Sequence, residues 1–297
     1  DAIAAGWAVR TLIDETMSQP VALVDGGAIA RAENRHLVDL LSPPLTLVDS
    51  LAPDEGCGVV LVDCGLGTTN HLVTRCDIRP VAVIDHHHHG GSVADVPFVD
   101  LRPEVAASVS IAATYLREQG IEPGEKLATA MLYAIRTETR GCETHHSALD
   151  RAVVRWLSEQ MDPELLAEIE SAPLSREYFG DLVLALQNTF VFGDTALCLL
   201  PQAEGAEIVG EMADLLVRCR EIRRVLSGAV VGGDLLVSVR TERAGDDAAE
   251  LLAAVLAGLG SGGGHQHRAG GKVPDAAGAS IVRDRKAELR RRWLAAC

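Results

Sequence analysis

Short apolar runs that end on aspartate constrain this chain most. Gly58-Val59-Val60-Leu61-Val62 closes on Asp63, and Val81-Ala82-Val83-Ile84 closes on Asp85. Val21-Ala22-Leu23-Val24 closes on Asp25, and Leu45-Thr46-Leu47-Val48 on Asp49. Runs of four or five aliphatic residues, separated by segments of helical periodicity, predict buried parallel strands joined by helical crossovers. Aromatic residues make up only 3% of the chain against 47% apolar, so the core must be aliphatic, which suits such layers.

Periodicity predicts helices over 2–18 and 33–41 and a short one near 68–75. A helical stretch from about 104 to 190 comprises 104–119, 125–137, 147–159, 163–171 and 176–189. Alternation then resumes with a strand at 195–200, a helix at 206–220 and a hairpin of 226–231 with 235–240 around Gly232-Gly233-Asp234. A helix at 247–258 runs into a glycine-rich stretch at 260–271, and a basic helix closes the chain near 284–297. At 297 residues the chain is long enough for two domains, with the boundary expected around 172–192.

A net charge of −15 excludes a general nucleic-acid coat protein, which needs clustered Lys and Arg, but admits a small basic site for a short anionic substrate. Seven dispersed cysteines without a CxxC pair read as reduced thiols, hence a cytoplasmic protein. No apolar stretch reaches the ~18–20 residues of a membrane span, so no membrane partner is expected.

Ligands of an open parallel sheet bind beyond the carboxyl ends of its strands. A carboxylate there followed by imidazoles is placed to hold a divalent cation. Asp63 alone is equally a turn or helix cap. Asp85-His86-His87-His88-His89 is different, because four consecutive imidazoles have no structural rationale. His88 and His89 read as loop residues beside the site.

Asp85-His86-His87 resembles the signature of the DHH phosphoesterases. Asp1-Ala2-Ile3-Ala4 resembles the tail of that family's first motif, whose upstream strand and ligands lie outside this sequence. Asp63-Cys64-Gly65 resembles the second motif. Val99-Asp100 through Ala107-Ser108-Val109-Ser110 resembles the segment that opens a helix after the DHH loop. Ile135-Arg136-Thr137-Glu138-Thr139 resembles the fourth, with Glu138 where the family has Asp. Gly262-Gly263-Gly264-His265-Gln266-His267-Arg268-Ala269-Gly270-Gly271 is similar to the GGGHxxAAG signature of the DHH-associated domain. Leu236-Val237-Ser238-Val239-Arg240 resembles a strand whose Arg faces the substrate phosphate.

The resemblance implies an α/β protein. A parallel-sheet catalytic domain over 1–180 is joined by a helical connector to a smaller α/β substrate-binding domain over 190–297, with the active site in the cleft between them. It implies two-metal hydrolysis with Mn²⁺, or Mg²⁺, two ions per site in the complete protein. Asp63 would bridge both ions, and Asp1, His86 and Glu138 would complete one site. His87 would face the scissile phosphate, with Asp85 orienting the His pair. His265, Arg240, Gly263 and Gly264 would bind the substrate phosphate. The implied substrate is a short oligonucleotide, a dinucleotide or a nucleotide phosphate, with no long duplex bound; monomer and homodimer are both left open. The alternatives are a catalytically impaired nucleotide-binding module, suggested by Glu138, and an inorganic pyrophosphatase.

Overall fold

The structure is a computed structural model that describes residues 1–27, 29–66, 71–87, 93–139, 141, 146–264, 266–274 and 286–297. The chain divides into two compact units, Asp1–Ile29 with Glu33–Ala172, and Ala30–Ala32 with Pro173–Cys297.

The first unit begins with α1 (Ala2–Met17), β1 (Leu23–Asp25), α2 (Ala32–Leu41) and β2 (Leu45–Leu47). It continues through β3 (Val60–Val62), α3 (Leu72–Arg75), β4 (Ala82–Asp85) and β5 (Phe98–Leu101). Four helices follow: α4 (Ser108–Glu118), α5 (Gly124–Glu138), α6 (Ala148–Ser158) and α7 (Pro163–Glu170). Every strand pair is parallel, as the run–helix–run pattern requires: β1 with β2, and β3–β4–β5 as a second sheet. Alternate residues of β4 serve two cores. Ile84 joins the large cluster built from α1, α2, α4, α5, α6 and α7, while Val83 packs with Leu61 and Val73 on the opposite face. Covering both faces explains why these strands read as unbroken apolar runs.

Helix starts follow local capping chemistry. Asp162 precedes Pro163 and accepts from the backbone N–H groups of Glu164 and Leu165. Ser147 and Asp150 form a capping box on α6.

The second unit contains α8 (Arg176–Gln187), β6 (Thr189–Phe192), β7 (Thr195–Leu200), α9 (Glu207–Leu216), β8 (Arg224–Val231) and β9 (Asp234–Thr241). It ends with α10 (Ala248–Leu256), β10 (Ser261–Gly264), β11 (Arg268–Val273) and α11 (Lys286–Ala296). Its six strands run in the order β10-β11-β9-β8-β7-β6, antiparallel except for β7 with β8. One sheet face packs on α10 and α11, with Trp293 buried there and its indole N–H donating to the Ala196 carbonyl. The other packs on α8 and α9. Residues 173–180, placed in the first domain by the resemblance, lie in the second unit, where Tyr178, Leu182 and Ala185 of α8 pack in its core.

The glycine-rich stretch is sheet rather than an open loop. Gly262 and Gly271 lie opposite each other in β10 and β11, against Leu252 and Leu256 of α10, where a Cβ at either would clash. A Cβ at Gly264 would fall 2.2 Å from the Arg268 carbonyl oxygen. At Gly263 it would meet nothing within 4 Å.

Candidate metal centre

The carboxyl ends of β3 and β4 carry the two acids expected there. Asp63 follows β3 and remains in the ladder, its N–H donating 2.9 Å to the Ile84 carbonyl. Its φ of 60° then turns the chain, a left-handed conformation that Asp tolerates better than most side chains and that concentrates at functional positions.

Asp85 ends β4 and is fully buried. Its Oδ1 accepts the backbone N–H of His86 at 2.8 Å and of His87 at 3.3 Å, and also faces the His87 Nδ1 at 2.7 Å. A single carboxylate oxygen thus folds the turn and fixes the second ring. With Nδ1–H donating to Asp85, His87 presents Nε2 outward. Burial opposes its protonation most strongly, but the Asp85 hydrogen bond and the charge of Asp63 outweigh that and raise its pKa.

His86 is held differently. Its Nδ1 lies 3.3 Å from the Val105 carbonyl, so the ring donates there and its Nε2 lone pair points inward. That nitrogen is 3.5 Å from Asp63 Oδ1 and 3.6 Å from Asp1 Oδ2. Burial lowers its pKa despite neighbouring carboxylates, which keeps the imidazole neutral and the lone pair available.

Asp1 is anchored by helix α4. Ala107, the residue before α4, offers no side-chain cap. Asp1 supplies one from 107 residues away, Oδ2 accepting the Ser108 N–H at 2.6 Å and Oδ1 the Val109 N–H at 2.9 Å. The Ser108 hydroxyl donates to Asp63 Oδ1 at 2.8 Å.

Donor separations of 3.5–3.6 Å are too long for hydrogen bonds. They suit ligands sharing one cation, since two atoms about 2.1 Å from an ion stand about 3–3.5 Å apart at tetrahedral or octahedral angles. Among the described residues, Asp63, His86 and His87 each offer a donor atom within 4.8 Å of the others. Mixed carboxylate and imidazole donors suit a divalent cation.

Asp1 lies outside that trio but against His86, and the charge of Glu138, half-buried at the end of α5, raises the pKa of both rings. Ser108 joins the site through residues 45 and 107 positions away, a contact that no local pattern signals.

In the second unit, Arg240 faces α9, and its guanidinium makes an ion pair with Asp214, Nε to Oδ1 at 2.7 Å and Nη2 to Oδ2 at 3.3 Å. Its Nη1 donates to Ser238 Oγ at 2.6 Å and to the Val239 carbonyl at 3.0 Å. The phosphate contact implied for Arg240 thus coincides with an internal ion pair. Gly263 and Gly264 lie in β10; His265, like His88 and His89, lies outside the described residues.

No family model matches the chain. An uncharacterized protein from Methanocaldococcus jannaschii, MJ1633, is 31% identical over 275 residues, which cover 92% of this chain and 55% of that protein. The chain therefore spans about half the length of that curated relative. Among solved structures, an exopolyphosphatase-related protein from Bacteroides fragilis superposes with a TM-score of 0.63 at 14% identity, over 96% of this chain and 97% of that one. RecJ from Thermus thermophilus, solved with Mn²⁺, gives 0.50 at 14% identity over 98% of this chain and 55% of its own. With the Asp85-His86-His87 turn at the end of a parallel strand, this chain has the two-domain fold of the DHH proteins.

Proposed function

We propose that the chain is a metal-dependent phosphoesterase acting on short oligonucleotides, dinucleotides or nucleotide phosphates. The supporting observation is the neutral, inward-facing Nε2 of His86 between Asp1 and Asp63. Asp63, His86 and Asp1 would hold a divalent cation, Mn²⁺ or Mg²⁺, with Glu138 adding charge at the rim. Bound cations supply a water made acidic near neutral pH and charge to stabilise the phosphoryl oxygens.

The protein side chains do the rest. His87, held by Asp85 and biased toward its protonated form, presents an N–H at Nε2 to a phosphoryl or leaving-group oxygen. Gly263 leaves its sheet face open to a ligand. Arg240 can contact phosphate only by sharing its guanidinium with Asp214. The chain would act in the cytoplasm on soluble substrates; no helix of the described residues is long and apolar enough to cross a membrane.

The test is release of mononucleotide from a dinucleotide in Mn²⁺. Asp63→Ala should reduce the rate by at least 100-fold, and an unchanged rate refutes the reading. A catalytically impaired nucleotide-binding module is the second reading, favoured by the position of Glu138 outside the donor trio. It predicts nucleotide binding by calorimetry with no turnover.

A further inference from the structure

We infer that Ser108 is a positioning residue that fixes the two metal-facing carboxylates through its main chain and its side chain together. The inference rests on the metal-site reading above and concerns how the site is held in shape.

Two carboxylate oxygens face His86 Nε2: Oδ2 of Asp1 and Oδ1 of Asp63. Ser108 donates to both, its N–H to Asp1 Oδ2 at 2.6 Å and its hydroxyl to Asp63 Oδ1 at 2.8 Å. Ser108 is fully buried. It opens α4, whose preceding residue Ala107 offers no side-chain cap, so the first N–H groups of that helix are directed at Asp1. A carboxylate oxygen has a second lone pair, so accepting from Ser108 leaves each oxygen able to bind a cation.

The hydroxyl selects one orientation of Asp63, a residue whose backbone is already in the left-handed region. Without it, the carboxylate can rotate and the arrangement of donors around His86 loses definition. Outer donors of this kind typically change metal affinity 10–100-fold.

Ser110 provides the contrast. It is equally buried in the first turn of α4, but its hydroxyl donates 2.5 Å to Asp150 on the scaffold side. If Ser108 merely supports the helix, the two serines should behave alike.

The experiment titrates the metal-free full chain with Mn²⁺ by calorimetry and records thermal unfolding alongside. Ser108→Ala should weaken Mn²⁺ binding at least 10-fold, and Ser108→Thr, which keeps the hydroxyl, should recover most of it. Ser110→Ala should lower the unfolding temperature with Mn²⁺ affinity within twofold of the parent. Should Ser108→Ala fail to fold, Ser108→Cys, a near-isostere with a weak donor, should show the loss instead. Parent-like affinity in a folded Ser108→Ala or Ser108→Cys chain, or equal losses for the Ser108 and Ser110 variants, overturns the inference. If the parent itself takes up no Mn²⁺, the metal reading fails and this inference with it, an outcome distinct from a parent that binds and a variant that binds equally well.

Discussion

Asp150 is the acid on which the scaffold behind the metal centre depends. Its side chain is buried and accepts four hydrogen bonds. Ala106 N–H donates at 3.0 Å, Ser147 N–H at 2.6 Å, Ser147 Oγ at 2.7 Å and Ser110 Oγ at 2.5 Å. Two of those donors flank Ser108, so Asp150 ties the segment that enters α4 to the start of α6. Asp150→Ala leaves buried donors without an acceptor, at about 1–3 kcal/mol for each one that water cannot reach. One of these donors, the Ser147 N–H, is the reciprocal half of the α6 capping box, worth about 1 kcal/mol. Water can rescue the Ser147 groups at the half-buried helix start more readily than Ser110, so the net loss should be about 3–5 kcal/mol. For a unit of this size that corresponds to a fall of about 6–20 °C in the unfolding temperature, at about 2–4 °C per kcal/mol. Thermal scans by circular dichroism, with the purified variant beside the parent at neutral pH, make the comparison. Asp150 and all four of these donors lie in the first unit. A shift below about 3 °C would show that the four hydrogen bonds add nothing net beyond what water supplies in the unfolded chain, and would refute the reasoning.

Further outcomes follow from other sites. His86→Ala should weaken Mn²⁺ binding more than His87→Ala in calorimetric titration, because His86 Nε2 faces both carboxylates whereas His87 is held by Asp85. Gly264→Ala should lower the unfolding temperature by several degrees, since its Cβ meets the Arg268 carbonyl, while Gly263→Ala should leave it within about 1 °C. The bidentate hydrogen bond from Arg224 holds the Asp246 carboxyl below its ordinary pKa. A depressed folded-state pKa gives stability present above the unfolded value, about 3.9, and lost as pH falls through the folded one. Urea unfolding of Asp246→Asn against the parent should therefore show a gap at pH 7 that narrows below about pH 4. A gap independent of pH contradicts the assignment.

What the sequence revealed about this molecule tracks how local each cause is. β3 and β4 were legible because burial on both faces leaves an apolar run and the strand-end acids punctuate it. β5 was not: Phe98-Val99-Asp100-Leu101 is an edge strand with mostly exposed residues, so neither alternation nor a buried run announces it. The glycines of 260–271 resemble a substrate-binding signature, and Gly262 and Gly271 are also small so that α10 can press on the sheet. At the site, Asp85, His86 and His87 are contiguous and their pattern is the signal. Ser108 and Asp1 meet across 107 residues, and Ser108 and Asp63 across 45. No window of sequence contains those pairs. Periodicity starts this helix at 104; the structure begins it after Ala107, whose side chain cannot accept its first N–H groups, so an acceptor comes from elsewhere in the fold. In this chain that acceptor is Asp1, the carboxylate that faces His86, so the missing cap at Ala107 and the geometry of the metal centre have one physical cause.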